Sequence, residues 1–156
     1  MTALRQLDHV AVVVRDTERA LAYFTGRLGL EVVSTEVIER PHVRLTYLDA
    51  GSVAIQLVEP LDDASPVARH LAEHGEGLHH ICFAVADVAR TAAELADHGA
   101  PEVTVGSGRG RPSAFVPGDP TTACASRSPR RMAFSRRSRP GTKRGRGRRR
   151  CRRRRS

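Results

Sequence analysis

The nonapeptide Gly77-Leu78-His79-His80-Ile81-Cys82-Phe83-Ala84-Val85 predicts a buried β-strand that opens with two histidines. Residues 7–14, Leu-Asp-His-Val-Ala-Val-Val-Val, have the same form. His9 and His80 are 71 residues apart, and the same offset links further identical pairs: Val14 and Val85, Asp16 and Asp87, Arg19 and Arg90, Ala22 and Ala93, Glu31 and Glu102, Val32 and Val103. This ungapped match indicates an internal duplication that places the two histidines at equivalent positions.

Each copy has the pattern of a strand, a helix and further strands. In the first copy, Asp16 or Thr17 begins a helix that Gly29 ends, and three apolar strands follow. Ser65 and Pro66 begin a short connecting helix. The sequence therefore predicts an α+β fold of two βαβββ modules, with a first module at 5–60, a linker helix at 61–77, a second, incomplete module at 78–120 and a disordered basic tail at 121–156.

The second module is expected to be incomplete because its last strand has no sequence signal. The offset of 71 places the equivalent of Gln56 at Arg127, within residues 121–130, which carry a proline and no apolar alternation. We expect this eighth strand to be missing or replaced, which would leave the strand at 113–116 with an unpaired edge. The glycine-rich residues 106–112 are predicted to be a flexible loop.

The charge of the chain is very unevenly distributed. Residues 1–120 hold ten arginines and all 17 carboxylates, a net charge of −7, whereas residues 121–156 hold 16 lysines and arginines and no acid. The overall charge of +9 therefore gives no reason to expect the folded part to bind nucleic acid. Only the tail offers a nucleic-acid contact, as a non-specific electrostatic arm.

Cysteine usage and the N-terminus indicate where the protein resides. Cys82 lies in mid-strand, where we expect a small buried apolar residue, and three irregularly spaced cysteines predict neither a disulfide framework nor a zinc ribbon. The first residues lack the apolar core of a signal peptide, and no apolar run approaches membrane-spanning length. We therefore expect a cytoplasmic protein with no membrane contact.

Three side chains form a candidate site. Strand residues alternate between faces, so His9 and His80 can both point inward while Asp8 and His79 point away. Gln56 interrupts an apolar strand, where a buried amide needs a partner. A pair of core histidines and a backbone-bonded amide is the plain alternative, but the duplication favours a functional site.

Four motifs together resemble the vicinal oxygen chelate superfamily (glyoxalase, bleomycin resistance protein and dioxygenase), and within it the methylmalonyl-CoA epimerase family. They are Asp-His-Val at 8–10, ALAYFTGRLGLEVV at 20–33, IQLVEP at 55–60 and GEGLHHICFAV at 75–85, and the resemblance covers residues 5–120. It implies curved sheets around a divalent metal ion (Co, Mn, Ni, Zn or Fe), a short acyl-CoA substrate and a homodimer. By the family's pattern the metal ligands are His9, Gln56 and His80, and the expected fourth ligand, a glutamate, falls at Arg127.

The resemblance implies an isomerase that removes and returns the C2 proton of methylmalonyl-CoA or a similar acyl-CoA through an enolate. The family's third-strand glutamate has no clear counterpart here, since the nearest residues are Arg44 and Thr46, and His42 is expected in an exposed loop. The catalytic residues are therefore unknown. Alternatives on this fold are a glyoxalase I-like lyase, a dioxygenase and a non-enzymatic, bleomycin-resistance-type drug-binding module.

Arg127 in place of the expected glutamate suggests a frameshift. Losing one base near the codon for Pro120 is compatible with an original strand that placed a glutamate at position 127, and G+C-rich coding sequence read out of frame gives tails rich in arginine and proline. We hypothesise a frameshifted C-terminus, arising either naturally or from a sequencing error, and expect weak metal binding and impaired activity. A solvated tail without function and a nucleic-acid arm are the alternatives.

Overall fold

The computed structural model describes residues 6–99 and 103–116, together with the backbone of residues 122–127. The helices are α1 (Thr17–Phe24), α2 (Pro66–His74) and α3 (Val88–Asp97). The strands are β1 (Gln6–Val13), β2 (Glu31–Glu39), β3 (His42–Asp49), β4 (Ala54–Pro60), β5 (Gly77–Val85), β6 (Thr104–Gly108), β7 (Arg111–Val116) and β8 (Thr122–Arg127). Among these residues, no helix has the length and apolar character needed to cross a membrane.

The predicted duplication is confirmed as two βαβββ modules in one sheet. The strand order is β2-β3-β4-β1-β5-β8-β7-β6, so each module forms one half of the sheet. Strands β1 and β5 pair antiparallel at the centre, and each pairs in parallel with the last strand of its own module, β4 or β8. The α+β prediction is therefore correct, and the two modules are related by a pseudo-two-fold arrangement about the β1–β5 pair.

The helices begin at the residues that the sequence indicated, but α1 ends at Phe24 and not at Gly29. The carboxylates of Asp16 and Asp87 accept hydrogen bonds from the backbone N–H groups of Arg19 and Arg90, which caps α1 and α3. Ser65 caps α2 in the same way, through the backbone N–H of Val67. The apolar side of α1 packs on Leu48 and Leu57, and α3 packs on Val85 and Ala114. The third helix, α2, packs on the opposite face of the sheet through Val67 and Leu71, beside the space that forms the site.

Of the two alternatives expected for the eighth strand, missing or replaced, the first is wrong because a strand is present. Residues 122–127 form β8, which lies between β5 and β7 and closes the second half of the sheet. These residues have little intrinsic strand pattern, but the two neighbouring strands offer hydrogen-bonding edges on both sides, and strand formation depends strongly on such context. The range 121–156 therefore contains a strand at 122–127, and the expected disorder of the remaining tail concerns residues outside the described part.

The register of β8 also differs from the offset of 71. In the first module Gln56 lies opposite Ala11, two residues after His9. In the second module Cys124 lies opposite Cys82, two residues after His80. The hairpin of β6 and β7 spans fewer residues than that of β2 and β3, so the chain reaches the last strand earlier. The position equivalent to Gln56 is thus Cys124 and not Arg127.

The predicted flexible loop at 106–112 is a tight hairpin. Gly106 pairs with Ser113 and Gly108 with Arg111, which leaves a two-residue turn of Arg109 and Gly110. Both turn residues have positive φ, 52° and 65°, as a type I′ turn requires. A turn of this type matches the twist of the strands, so the glycine-rich segment continues the sheet.

The core of the first module provides a test of the fold. Leu57 is completely buried against α1, whereas Leu78 on β5 is 61% exposed. Because Leu57→Ala leaves a cavity, we expect it to lower the free energy of unfolding by about 2–5 kcal/mol. The matched control Leu78→Ala should change it by less than about 0.5 kcal/mol in the same urea titration. Equal effects of the two substitutions would contradict the described packing.

Candidate active site

The face of the sheet opposite α1 and α3 contains a cavity of about 120 Å³. Both modules line it, because β1 and β5 lie side by side at the centre of the sheet. Its wall is mainly apolar and includes Val43, Leu45, Val58, Val67 and Phe115. Polar side chains from both modules converge on this apolar wall, an arrangement typical of small-molecule sites.

The three predicted site residues meet at this cavity. His9, Gln56 and His80 line it and are only 6%, 5% and 5% exposed. The rings of His9 and His80 lie edge to face with their centroids 5.5 Å apart. The Nε2 atom of His80 and the Oε1 atom of Gln56 are buried and have no hydrogen-bond partner. Buried polar atoms are rarely left in this state, which indicates that the site is built for a further group.

Tyr47 fixes the Gln56 amide and was not predicted from the sequence. The Gln56 Nε2 atom donates a 2.6 Å hydrogen bond to the Tyr47 hydroxyl oxygen, which lies next to it on the adjoining strand β3. Burial and the nearby Glu36 carboxylate raise the pKa of Tyr47 to about 12, so its hydroxyl stays protonated at neutral pH. Because the amide nitrogen is held by Tyr47, the amide oxygen is the end of Gln56 without a partner.

The expectation that Asp8 points away from the site is wrong. Asp8 lines the cavity, and its Oδ2 atom accepts a 2.8 Å hydrogen bond from the Nδ1 atom of His9. Burial lowers the pKa of His9, but hydrogen bonds to Asp8 and Cys82 outweigh burial and leave the pKa above its usual value. A carboxylate on one imidazole nitrogen fixes the ring and leaves the other nitrogen available to bind a ligand.

His79 likewise lines the cavity instead of pointing away. Its Nδ1 atom lies 2.8 Å from the Nδ1 atom of His80, so one of these two nitrogens carries the shared proton. Burial, together with the neighbouring His79 and His9, lowers the pKa of His80 to about 3. His80 is therefore neutral at physiological pH, and its Nε2 atom can act as an electron-pair donor.

Arg109, at the turn between β6 and β7, connects the two modules across the cavity. Its Nη2 atom donates to Asp8 at 2.9 Å, and its guanidinium carbon lies 4.2 Å from the centre of the Tyr47 ring. The backbone N–H of Arg109 donates to Glu36 at 2.7 Å. The hairpin also passes close over Tyr47 at Gly108, where an added Cβ would lie 3.0 Å from the hydroxyl oxygen. Arg109 thus brings a fixed positive charge to the cavity.

Other residues considered in the sequence lie elsewhere. Arg44 forms a 2.6 Å ion pair with Glu59, and Thr46 is buried beside Thr35, so neither lines the cavity. His42 is the first residue of β3 and does not lie in the exposed loop that was expected. Its Nδ1 atom lies 3.4 Å from the Oδ2 atom of Asp62. The cavity-facing positions of β3 are occupied by Val43, Leu45 and Tyr47.

The donor set fits a divalent metal ion. Two imidazoles and an amide oxygen converge, one imidazole is held by a carboxylate, and two of the donor atoms are buried without a partner. A possible ligand cluster of Asp8, His9 and Cys82 lies at the same place, with its ligand atoms within 4.8 Å of one another. Imidazole nitrogen suits several divalent transition-metal ions, among them Zn²⁺, Ni²⁺ and iron.

Relatives with similar sequences include named epimerases. The chain is 33% identical over 96 residues to an ethylmalonyl-CoA/methylmalonyl-CoA epimerase of Cereibacter sphaeroides, covering 61% of this chain and 72% of the relative. It is 38% identical over 80 residues to an uncharacterized protein of Bacillus subtilis, covering 51% of this chain and 57% of that one. The chain spans about half of mitochondrial methylmalonyl-CoA epimerase of Bos taurus, 49% of its length, at 34% identity over 86 residues and 54% of this chain.

Solved structures agree with these matches. A Streptomyces coelicolor methylmalonyl-CoA epimerase in complex with 2-nitronate-propionyl-CoA has a TM-score of 0.75 at 31% identity, covering 81% of this chain and 96% of that one. A methylmalonyl-CoA epimerase in complex with methylmalonyl-CoA and NH4+ has a TM-score of 0.73 at 32% identity, with the same coverage. These neighbours share the vicinal oxygen chelate fold.

A family model covers most of the described part of the chain. The Glyoxalase/Bleomycin resistance protein/Dioxygenase superfamily matches residues 8–116, a range that includes His9, Gln56 and His80 and stops before β8. The two-module fold and the relatives agree with this match. The chain therefore belongs to the Glyoxalase/Bleomycin resistance protein/Dioxygenase superfamily.

Proposed function

We propose that the protein is a metal-dependent epimerase of methylmalonyl-CoA or a similar short acyl-CoA. The observation that carries this proposal is the convergence of His9, Gln56 and His80 on one cavity, with the His80 Nε2 and Gln56 Oε1 atoms unpartnered. The names of the relatives and the acyl-CoA complexes of the neighbouring structures support the choice of substrate.

In this proposal His9, Gln56 and His80 hold the divalent ion. The ion would act as a Lewis acid that stabilises negative charge on a substrate oxygen. Asp8 keeps the His9 ring in place through its Nδ1 atom, and Tyr47 keeps the Gln56 amide oxygen directed away from itself. The apolar wall excludes water, which strengthens each electrostatic contact inside the cavity.

Arg109 is proposed to bind the free carboxylate of the substrate. It lines the cavity beside Asp8 and Tyr47, and a guanidinium has donors for more than one acceptor. A methylmalonyl group carries a carboxylate that a propionyl group lacks, so Arg109 would distinguish the two acyl groups.

Slow turnover is expected because carboxylates that could act as acid–base groups are scarce in the cavity. Epimerisation needs a group on each side of the substrate carbon to remove and return the proton. Among the described residues that line the cavity, Asp8 is the one carboxylate, and it already binds His9 and Arg109. On β3, where the family's pattern has a glutamate, the cavity-facing position between Val43 and Tyr47 is occupied by Leu45, which cannot transfer a proton. No described side chain is therefore assigned as the catalytic base, and we propose an activity well below that of the named relatives.

Hydrogen exchange tests this function directly. The full chain, freed of metal with a chelator and reloaded with Co²⁺, Zn²⁺ or Mn²⁺, should exchange the C2 proton of methylmalonyl-CoA in deuterated water, as seen by mass spectrometry. Exchange should stop when the metal is removed. Metal-dependent oxygen uptake with catechols would instead indicate a dioxygenase, and absence of both metal binding and exchange would overturn the proposal in favour of a binding module.

The proposed ligands can be tested by substitution. His80→Ala removes a buried imidazole from the site, so we expect at least about a tenfold loss of metal affinity and loss of exchange. His98→Ala, at an exposed position after α3, is the matched control and should keep both. Metal affinity would be measured by competition with a chelating dye. Unchanged affinity of the His80→Ala variant would exclude His80 as a ligand.

Arg109 can be tested by comparing two ligands. Arg109→Gln should reduce the preference for methylmalonyl-CoA over propionyl-CoA by about tenfold or more, because a hydrogen bond to a charged group is lost. Arg19→Gln is the control, since Arg19 is exposed and pairs with Glu76 away from the cavity. Dissociation constants would be measured by calorimetry. An unchanged ratio for Arg109→Gln would show that the carboxylate binds elsewhere.

A further inference from the structure

We propose that the thiol of Cys82 is a metal ligand beside His9, so that the site has a sulfur donor and prefers Zn²⁺ or Co²⁺ to Mn²⁺ or Mg²⁺. This inference rests on the metal site proposed above and names one more ligand in it. It changes the expected metal preference of the site, because soft thiolate ligands favour ions such as zinc and cobalt, whereas oxygen ligands favour magnesium and manganese.

The position of Cys82 carries the argument. Cys82 is completely buried, and it lies directly opposite His9 in the antiparallel β1–β5 pair. Opposite residues of such a pair project on the same face, and Cys82 also shares a face with His80, two residues before it. The ligand atoms of Asp8, His9 and Cys82 lie within 4.8 Å of one another. Cys82 forms no disulfide.

The charge of the site provides the second reason. His9, His80 and Gln56 are neutral donors, and a divalent ion held by them alone would have no anionic protein ligand. The β8 position equivalent to Gln56 is Cys124, so the described register places no carboxylate there. Binding of the ion displaces the thiol proton of Cys82 to solvent, and the resulting thiolate supplies the negative charge.

Asp8 is less suited to this role than Cys82. Its Oδ2 atom accepts hydrogen bonds from both the His9 ring and the Arg109 guanidinium, at 2.8 Å and 2.9 Å. A carboxylate in this position orients a metal-binding histidine from outside the ligand set. Moving Asp8 onto the ion would break both contacts, one of which holds the proposed ligand His9 in place.

Cobalt spectroscopy tests the inference without reference to activity. Metal-free full-length protein would be titrated with Co²⁺, and we expect the near-ultraviolet charge-transfer band of a thiolate–cobalt bond, together with release of a proton. The variant Cys124→Ser/Cys151→Ser keeps Cys82 as its only thiol and should show the same band. Cys82→Ser should lose the band and bind Zn²⁺ at least about tenfold more weakly, with Mn²⁺ affinity changed less than about twofold.

The outcomes separate this inference from the proposed function. Cobalt binding and C2 exchange without the band, or a band that survives Cys82→Ser, would overturn the sulfur ligand and leave the epimerase proposal standing. A band lost in the Cys124→Ser/Cys151→Ser variant would assign the sulfur ligand to one of those two cysteines and overturn the choice of Cys82. Absence of any metal binding would overturn both. If Cys82→Ser does not fold, the band of the Cys124→Ser/Cys151→Ser protein and protection of its single thiol from a thiol reagent by Zn²⁺ decide the matter.

Discussion

Strands β1 and β5 run antiparallel through the centre of the sheet, and the cavity depends on this pairing. It places His9 opposite Cys82 and Ala11 opposite His80, so that side chains from two modules share one face. Each of these strands also pairs in parallel with the last strand of its module, which brings Gln56 beside β1. A shift by a single residue between β1 and β5 would move one histidine to the helix side, because side chains alternate along a strand.

The duplication produced two pairs of neighbours that are equivalent in position and different in chemistry. Asp8 precedes His9, and His79 precedes His80, and in each pair the first residue contacts the Nδ1 atom of the second. A carboxylate holds the pKa of His9 above its usual value, whereas burial and a second imidazole lower the pKa of His80 to about 3. Two identical side chains in symmetric places therefore have pKa values shifted in opposite directions.

The sequence was sufficient to predict the two modules and to pair His9 with His80, because both follow from a fixed offset and from strand alternation. Gln56 was added because it interrupts an apolar strand and matches the family's pattern. It was not sufficient for β8, since that strand forms on edges supplied by β5 and β7 and has little pattern of its own. Tyr47 could have been noticed from its place on β3, but its contact with Gln56 depends on the β3–β4 register. Arg109 was not predicted as a site residue because its glycine-rich segment, residues 106–112, was expected to be a flexible loop.

The observed register of β8 differs by three residues from the register that the offset of 71 predicts, and this difference changes which side of the strand each position occupies. Three is odd, so the shift exchanges the two sides of the strand: position 124 lies opposite Cys82, and position 127 lies opposite Val85, which packs with α3. A glutamate at 127, as the hypothesised original reading frame supplies, reaches the place equivalent to Gln56 only if β8 slides by three residues. A carboxylate at the position equivalent to Gln56 therefore requires both a glutamate in the sequence and a change in the alignment of β8 with β5.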